Sequence, residues 1–264
     1  MKITALVENT CHSDLKAAHG LSLYIETEKH KIMFDAGPDE TFYENGLKLG
    51  VPFEDVDIII ISHGHYDHGG GLEKLLEVNE KAPVYIRRSA FEPHYARGTE
   101  KNRFIGINPK LMEDPRMVLL DGDYRIDDEL FLFAADRTDK CRSYMNDVLF
   151  DDKGIDPFGH EHSLIISSEK PALIMGCGHT GVVNIMEKAA EFMPKICVGG
   201  FHLYSNGSKE TVGEELLGEM AGELLKYSDT VFYTCHCTGE KAYRYLESKM
   251  DNIRYLSCGE KIEL

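Results

Sequence analysis

The chain has 264 residues, a formal net charge of -16, and 42% hydrophobic and 28% charged residues. This length is enough to bury a real core, and the composition is ordinary for a globular protein. The acidic balance would repel a polyanion, so it argues against a nucleic-acid partner. No stretch approaches the roughly 18 consecutive apolar residues of a transmembrane helix, so we expect no membrane partner.

The cysteine count and the N-terminal sequence indicate the compartment. Seven cysteines are an odd number, which argues against a complete disulfide framework and favours a reducing environment. The opening stretch "MKITALVEN" lacks the pattern of a signal peptide. We therefore expect a cytoplasmic protein, and the sequence leaves its oligomeric state open.

The first half of the chain is predicted to be rich in strands. Short apolar or β-branched runs separated by turn residues predict strands at Lys2–Glu8, Leu21–Thr27, Lys31–Asp35, Asp57–Ser62 and 82–88. Helices are predicted at Glu40–Leu49 and Leu72–Val78. Residues 92–117 contain several prolines and glycines and are predicted to form an irregular insert.

The second half is predicted to change from strands to an alternation of helix and strand. A strand, a turn and a strand are expected over 117–134, and a hairpin over 162–178. The alternating elements that follow are Val182–Phe192, Ile196–Gly199, Glu210–Lys226, Thr230–Thr234, Glu240–Lys249 and Ile253–Ser257. This order predicts one α/β domain over residues 1–264.

Four predicted strands run directly into a histidine. "DIIIIS" precedes His63, "ALIMGCG" precedes His179, "KICVGGF" precedes His202 and "TVFYTC" precedes His236. One such histidine alone would be read as a strand-end residue with a local hydrogen bond. Ligand sites of open α/β sheets lie beyond the carboxyl ends of the strands, so four together indicate a shared metal site.

The stretch "SHGHYDHGGG" is the densest of these patterns. His63 and His65 are two residues apart on an extended segment, so both rings face one side. Asp67 and His68 follow where the chain bends, and two pairs of ligands suit two divalent metal ions. Imidazole and carboxylate ligands favour zinc, with iron or manganese as alternatives. The following glycines allow a tight turn into the next helix.

The same stretch resembles the His-x-His-x-Asp-His signature of the metallo-β-lactamase-fold hydrolases. "KIMFDAG", "GCGHTG" and "TCHCTG" stand where the first, third and last motifs of that superfamily are expected. The resemblance implies an αββα sandwich of two mixed sheets with a dinuclear site at one edge. "LVEN", "HGLSLYIE", "GGFHL" and "HCTGEKA" resemble the branch around 7,8-dihydropterin-6-methyl-4-(β-D-ribofuranosyl)aminobenzene-5'-phosphate synthase.

The resemblance also implies a ligand set. It assigns His63, His65 and His179 to one metal ion and Asp67, His68 and His236 to the other. Asp35 would orient the histidine cluster by hydrogen bonds; the alternative is a turn residue before Gly37 and Pro38.

His202 departs from the family pattern. The family usually has a bridging aspartate at this place, and a neutral imidazole cannot bridge two cations as a carboxylate does. His202 is therefore expected either to bind one ion or to act as an acid or base beside the metals. Asp67 and His202 are the candidate catalytic residues.

The expected chemistry is hydrolysis or group transfer. Two ions can hold a hydroxide and polarise a substrate oxygen, which suits a small ester, lactone or phosphate-bearing molecule, and the resemblance implies a pterin-related one. Arg97 and Arg103 are candidates for gripping an anionic group, and a solvated loop is the alternative. His160 is a candidate for the site edge.

Two further histidines and two cysteines have plainer interpretations. His162 is expected at a solvated or hydrogen-bonded strand entry and His94 at the surface. Cys177 and Cys235 are expected to be small buried hydrophobes. The other function classes left open are a nuclease, a di-iron redox protein, and a metal-stabilised binding or sensor protein without turnover.

Overall fold

Two seven-stranded mixed sheets carry most of the regular structure. The computed structural model describes residues 1–98 and 100–264, so Thr99 of the predicted irregular segment lies outside the described residues. One unit comprises Met1–Asp121 and Leu256–Leu264, and the other comprises Gly122–Tyr255. The prediction of a single domain over residues 1–264 stays a prediction.

The strands of the two units are short and are numbered here in chain order. The first unit contains β1 (Lys2–Val7), β2 (Ser22–Glu26), β3 (Lys31–Phe34), β4 (Ile58–Ile61), β5 (Val84–Arg87), β6 (Tyr95–Ala96), β7 (Arg103–Phe104), β8 (Met117–Leu120) and, near the C-terminus, β18 (Lys261–Glu263). The second unit contains β9 (Tyr124–Arg125), β10 (Leu130–Phe133), β11 (Leu149–Asp151), β12 (Gly154–Ile155), β13 (Ser163–Ile166), β14 (Ala172–Ile174), β15 (Ile196–Gly199), β16 (Val231–Thr234) and β17 (Ile253–Tyr255).

Each unit builds one mixed sheet. The first has the strand order β18-β1-β2-β3-β4-β5-β8, with parallel pairing from β3 to β8. The second has the order β17-β16-β15-β14-β13-β10-β9, with parallel pairing from β14 to β17. Strand β4 reads Ile-Ile-Ile-Ile and is buried throughout, as a parallel strand covered on both faces requires. Carboxyl ends of neighbouring parallel strands therefore meet at one edge of each sheet.

In the described part of the chain, six helices flank these strands in sequence. They are α1 (Thr41–Leu49), α2 (Tyr66–Gly69), α3 (Leu72–Val78), α4 (Val182–Ala189), α5 (Glu214–Leu224) and α6 (Glu240–Glu247). Short 3-10 turns occupy Phe53–Asp55, Arg88–Phe91, Pro109–Glu113, Tyr144–Val148, Ala190–Phe192 and His236–Thr238. Among the described helices, none combines the length and the apolar character that crossing a lipid bilayer requires.

Each unit has its own hydrophobic core. In the first, Phe42 of α1 packs edge-on against Phe53, with ring centroids 5.6 Å apart, within a cluster that includes β4 and α3. In the second, α4, α5 and α6 pack on the strands around the buried side chains of Phe201 and Phe232. Aromatic pairs of this kind add about 0.5–1.5 kcal/mol to the burial of their area.

Two regions differ from the sequence-based expectation. Helix α5 was predicted from Glu210 but begins at Glu214, because Glu210 accepts a backbone hydrogen bond from Ser205 and Thr211 pairs with Tyr204. The 92–117 segment is largely irregular, as predicted, yet it contains the hairpin of β6 and β7. Such two-residue strands are too short to produce a recognisable alternation of apolar and polar residues in the sequence.

Candidate metal centre

Strands β3 and β4 are parallel neighbours, and each ends in a polar side chain. Asp35 follows β3 and Ser62 follows β4, so both lie at the same edge of the first sheet. Asp35 is fully buried and has a left-handed backbone, with φ of 60°. A residue other than glycine adopts that conformation at a cost of about 1–3 kcal/mol, and such strain is typical of functional sites.

The Asp35 carboxylate supports the histidine cluster directly. Its Oδ1 accepts the Ser62 backbone N–H at 2.7 Å, and its Oδ2 accepts the Ser62 hydroxyl at 2.7 Å. Oδ2 also lies 2.6 Å from His68 Nδ1. The Ser62 Oγ lies 2.9 Å from His63 Nδ1. With Nδ1 engaged in both rings, a metal would bind them through Nε2.

The structure brings three of the predicted ligands of the first unit together. The His63 ring lies 4.6 Å from the His65 ring and 4.2 Å from the His68 ring, centroid to centroid, and all three are buried. His65 is extended and precedes α2, which carries Asp67 and His68 around the bend. Asp67 Oδ2 lies 3.5 Å from His19 Nε2.

Close backbone contacts explain the glycines after the cluster. A Cβ atom at Gly70 would lie 2.2 Å from the Pro38 carbonyl oxygen, and one at Gly71 would lie 2.3 Å from that of Ala36. Any side chain at either position would therefore separate the cluster from the loop after Asp35.

His179, in the second unit, is held on several sides. Its Nδ1 lies 2.8 Å from Asn146 Oδ1, while Asn146 Nδ2 donates to the His179 carbonyl at 2.8 Å. The Phe158 ring stacks on the imidazole with centroids 4.4 Å apart and planes 3° apart. This support again leaves Nε2 as the nitrogen through which a metal would bind.

Glu161 holds the backbone that carries His179. Its carboxylate accepts the backbone N–H groups of His179 and Thr180, each at 2.8 Å, and the Thr180 hydroxyl at 2.7 Å. Burial raises the pKa of Glu161 above its ordinary value, although these hydrogen bonds act in the opposite direction.

His202 and His236 follow the parallel strands β15 and β16. Both have left-handed backbones, with φ of 50° and 49°, and His236 is fully buried. The His202 ring lies 4.1 Å from the His179 ring. The structure thus gathers the predicted ligands of the second unit at one sheet edge.

Two thiols lie beside these histidines. The potential ligand atoms of Cys177, His236 and Cys237 all lie within 4.8 Å of one another, as do those of Cys177, His179 and His202. Cys177 and Cys235 are buried, as expected. Burial acts to raise the pKa of Cys237, but hydrogen bonding with Cys177 and His202 and the nearby His236 hold it well below the ordinary value.

The residues in each unit suit a divalent metal. In the first unit, Nδ1 of His63 lies beside a hydroxyl and Nδ1 of His68 beside a carboxylate; in the second unit, Nδ1 of His179 lies beside an amide. Such partners are the usual support of metal-binding histidines. Asp67 adds an oxygen donor in the first unit, and Cys177 and Cys237 add sulfur donors in the second; both kinds of atom are zinc ligands.

The predicted substrate residues have different environments. Arg103 is exposed, with its guanidinium carbon 5.8 Å from the centre of the Tyr66 ring, and Arg97 is also exposed. His160 is buried, and its Nε2 lies 3.1 Å from Asp156 Oδ2.

One histidine assignment was wrong, and for a second histidine one of two alternatives is excluded. His94 was expected at the surface but is buried, with Nε2 3.2 Å from the Ser89 carbonyl oxygen and its ring 5.7 Å from that of His65. His162 was preferred as a solvated or hydrogen-bonded strand entry; it is buried, so it is not solvated. The supporting residues Asn146 and Glu161 gave no signal in the sequence, since they lie in a short 3-10 turn and a loop, distant in sequence from the histidine they hold.

Known proteins of similar sequence include two from Methanocaldococcus jannaschii. "Uncharacterized protein MJ0448" is 30% identical over 98% of this chain and 99% of its own length. The second, named 7,8-dihydropterin-6-methyl-4-(β-D-ribofuranosyl)-aminobenzene-5'-phosphate synthase, is 28% identical over 100% of this chain and 96% of its own length.

Solved structures agree with the fold. Tm1679, described as a metal-dependent hydrolase of the β-lactamase superfamily, matches with a TM-score of 0.84 and 25% identity over 100% of this chain and 99% of its own. An isothiocyanate hydrolase from Delia radicum gut bacteria matches with a TM-score of 0.60 and 15% identity, over 100% and 99% of the two chains, and shows the fold alone. The predicted fold class, an αββα sandwich with two mixed sheets, is confirmed.

The sequence of residues 16–185 matches the family model of the metallo-β-lactamase superfamily. That range covers more than half of the 264 residues and contains Asp35, the histidine cluster and His179. The superfamily is one of metal-dependent hydrolases, as the solved relative illustrates. The chain belongs to the metallo-β-lactamase superfamily.

Proposed function

We propose that this protein is a metal-dependent hydrolase or group-transfer enzyme that acts on a small anionic ester, lactone or phosphate-bearing molecule in the cytoplasm. The observation that carries the proposal is the support of three buried histidines. Asp35, Ser62 and Asn146 hold the Nδ1 atoms of His68, His63 and His179, respectively. A fold needs such support where imidazoles must face a metal in fixed orientations.

The residues divide the chemistry among them. Bound divalent metal, with zinc expected and two ions per chain, would polarise the substrate oxygen and lower the pKa of an attacking water. Asp67, held near His19, is a candidate to orient that water and accept its proton. The Nδ1 of His202 is buried and has no hydrogen-bond partner among the described residues, so it is a candidate to carry a proton to the leaving group.

The ligand assignment stays a prediction. We propose His63, His65 and His179 for one ion, and Asp67, His68 and His236 for the other; the family match covers all of these residues except His236, which rests on the resemblance of the last motif.

The position of Arg103 supports the proposal of an anionic substrate. Its guanidinium lies over the ring of Tyr66, the residue between His65 and Asp67. The backbone N–H of Tyr66 donates to the Ile105 carbonyl at 2.8 Å, which fastens this arginine-bearing segment to the cluster loop. Arg97 is exposed on the same hairpin. A planar guanidinium suits a phosphate or carboxylate group.

The name of one relative suggests which substrates to test first. One of them is named as a synthase of a pterin-linked phosphate compound, so pterin-related phosphate esters belong in the first substrate panel beside phosphodiesters, lactones and thioesters. Hydrolysis of at least one class by the zinc-loaded protein, and its loss in His68→Ala, would support the proposal. A metal-loaded protein inert towards the whole panel would favour a binding or sensor role.

The anion role of Arg103 has a separate test. Arg103→Ala should raise the KM for an anionic substrate several-fold and change kcat little, because a lost ion pair weakens substrate binding. Lys110→Ala, which removes another exposed cation of the same segment, is the matched control. An unchanged KM in Arg103→Ala would remove Arg103 from the proposed site.

A further inference from the structure

Two thiols of the second unit are not used by the proposed function. Cys177 lies beyond the end of β14 and Cys237 beyond the end of β16, with only 2% and 4% of their surfaces exposed. Their sulfur atoms and a ring nitrogen of His236 lie within 4.8 Å of one another. In a tetrahedral zinc site with Zn–S bonds of about 2.3 Å, two sulfur ligands stand about 3.8 Å apart. A small movement therefore closes the three donors around one ion.

The surroundings of the two thiols differ from those of the core cysteines. Cys197 and Cys141 belong to the hydrophobic cluster around Phe201 and Phe232, whereas Cys177 and Cys237 are buried outside that cluster. Cys177 instead lies in two groups of donors, one with His236 and Cys237 and one with His179 and His202. Packing alone would explain a cysteine among aliphatic side chains, but not two thiols among three imidazoles.

The backbone around Cys237 leaves room for its sulfur and donates a hydrogen bond to it. A Cβ atom at Gly200 would lie 2.4 Å from Cys237 Sγ, so only glycine fits there. The backbone N–H of His202 donates to the same sulfur, with N and S 3.3 Å apart. Hydrogen bonds of this kind stabilise a sulfur that carries negative charge, as a metal-bound thiolate does.

We propose that Cys177 and Cys237 are metal ligands, and that together with His236 they bind a thiophilic divalent ion such as zinc. The inference rests on the proposed function, in which His236 serves the metal centre. It also accounts for the departure at His202: thiolates supply the negative charge that the superfamily takes from a carboxylate at that place. The metal site of this chain would thus contain nitrogen, oxygen and sulfur donors.

The test reads the metal's ligands rather than turnover. X-ray absorption of the zinc-loaded protein should show scattering from sulfur at about 2.3 Å beside nitrogen or oxygen at about 2.0–2.1 Å. The cobalt-substituted protein should show a sulfur-to-cobalt charge-transfer band in the near ultraviolet. Cys177→Ala and Cys237→Ala should each weaken the band, and the double variant should abolish it. Cys197→Ala, which removes a core thiol of the same unit, should keep it.

Each outcome separates the two proposals. Zinc bound with nitrogen and oxygen scattering only would overturn sulfur ligation and leave the proposed function standing. Sulfur scattering from a protein without hydrolytic activity would uphold the ligands and count against the proposed function. A Cys177–Cys237 disulfide in protein purified without oxygen, detected by mass after alkylation, would also overturn the proposal. Because the wild-type spectra decide the question, a variant that fails to fold does not obscure it.

Discussion

At the scale of single residues, the histidine cluster depends on the side chains that support it. Asp35 illustrates this, since its buried carboxylate accepts two hydrogen bonds from Ser62 and lies 2.6 Å from His68 Nδ1. The carboxylate fixes which nitrogen of His68 faces outward and, through Ser62, orients His63. Supporting groups of this kind are expected to affect metal affinity nearly as strongly as some ligands do.

Asp35→Asn should therefore weaken metal binding by about 10–100-fold. An amide cannot accept hydrogen bonds at both of its ends, so Ser62 and His68 lose part of their support. A chelator-competition titration measures the change, with Asp39→Asn in the following exposed loop as the control. Unchanged metal affinity in a folded Asp35→Asn protein would contradict the supporting role.

Asn146→Leu should have two effects. It removes the partner of His179 Nδ1 and leaves the buried His179 carbonyl without its donor. Loss of the donor to this carbonyl should lower the free energy of unfolding by about 1–3 kcal/mol. Loss of the partner of His179 Nδ1 should lower the metal content. Urea denaturation and elemental analysis measure them separately, with exposed Asn206→Ala as the control. A variant with full metal content would show that His179 needs no such orientation.

The dense cluster at His63–His68 was predictable because its residues are neighbours in the sequence. The placement of His63, His179, His202 and His236 at sheet edges was also predictable, because each follows an apolar run. The positions of His94 and Glu161 were not predictable, because these residues lie in segments without a regular alternation of apolar and polar residues. The same holds for the thiol pair, whose members are separated by α4, β15, α5 and β16.

At the scale of elements, strand periodicity and turn residues located most of the fold. The predicted strand Ile196–Gly199 and the predicted helix Leu72–Val78 match the observed bounds. The start of α5 was misplaced because Lys209 adopts a left-handed backbone and Glu210 and Thr211 pair with the preceding turn. Glutamate-rich segments favour helix locally, and here that tertiary pairing overrides the propensity.

The end of α3 depends on a cation outside the helix. Arg116 Nη1 donates to the carbonyls of Leu76 and Asn79, at 3.0 and 2.5 Å, and so satisfies groups that the helix leaves without partners. Asp114 holds this guanidinium with hydrogen bonds of 2.9 and 2.8 Å. Hydrogen bonding with Arg116 holds the pKa of Asp114 below its ordinary value.

This contact predicts a pH dependence. Because the folded pKa of Asp114 is lowered, its contribution to stability is present above the unfolded pKa and disappears as the pH falls through the folded pKa. Asp114→Asn should cost about 1 kcal/mol at neutral pH, and the difference from wild type should shrink towards acid pH. Urea denaturation across pH measures it, with the exposed ion-pair residue Asp121→Asn as the control. A difference that does not change with pH would contradict the ion pair.

At the scale of the whole molecule, the acidic charge and the superfamily membership bear on different questions. The net charge of -16 disfavours polyanionic substrates, while the superfamily supplies the metal-dependent chemistry. The fold class was predictable because its signature is local and its motifs are ordered along the chain. The substrate was not predictable, because substrate specificity depends on loop residues rather than on the fold.

The most direct test of the account is the metal content of the purified protein, measured by plasma mass spectrometry beside a His65→Ala, Asp67→Ala double variant. The account predicts about two equivalents of zinc, iron or manganese per chain, with a large loss in the double variant. An Asp57→Ala variant, which changes an aspartate outside the site, should keep the wild-type content. A wild-type protein that holds no metal after reconstitution, or a double variant with the same content as wild type, would contradict the metal-dependent hydrolase.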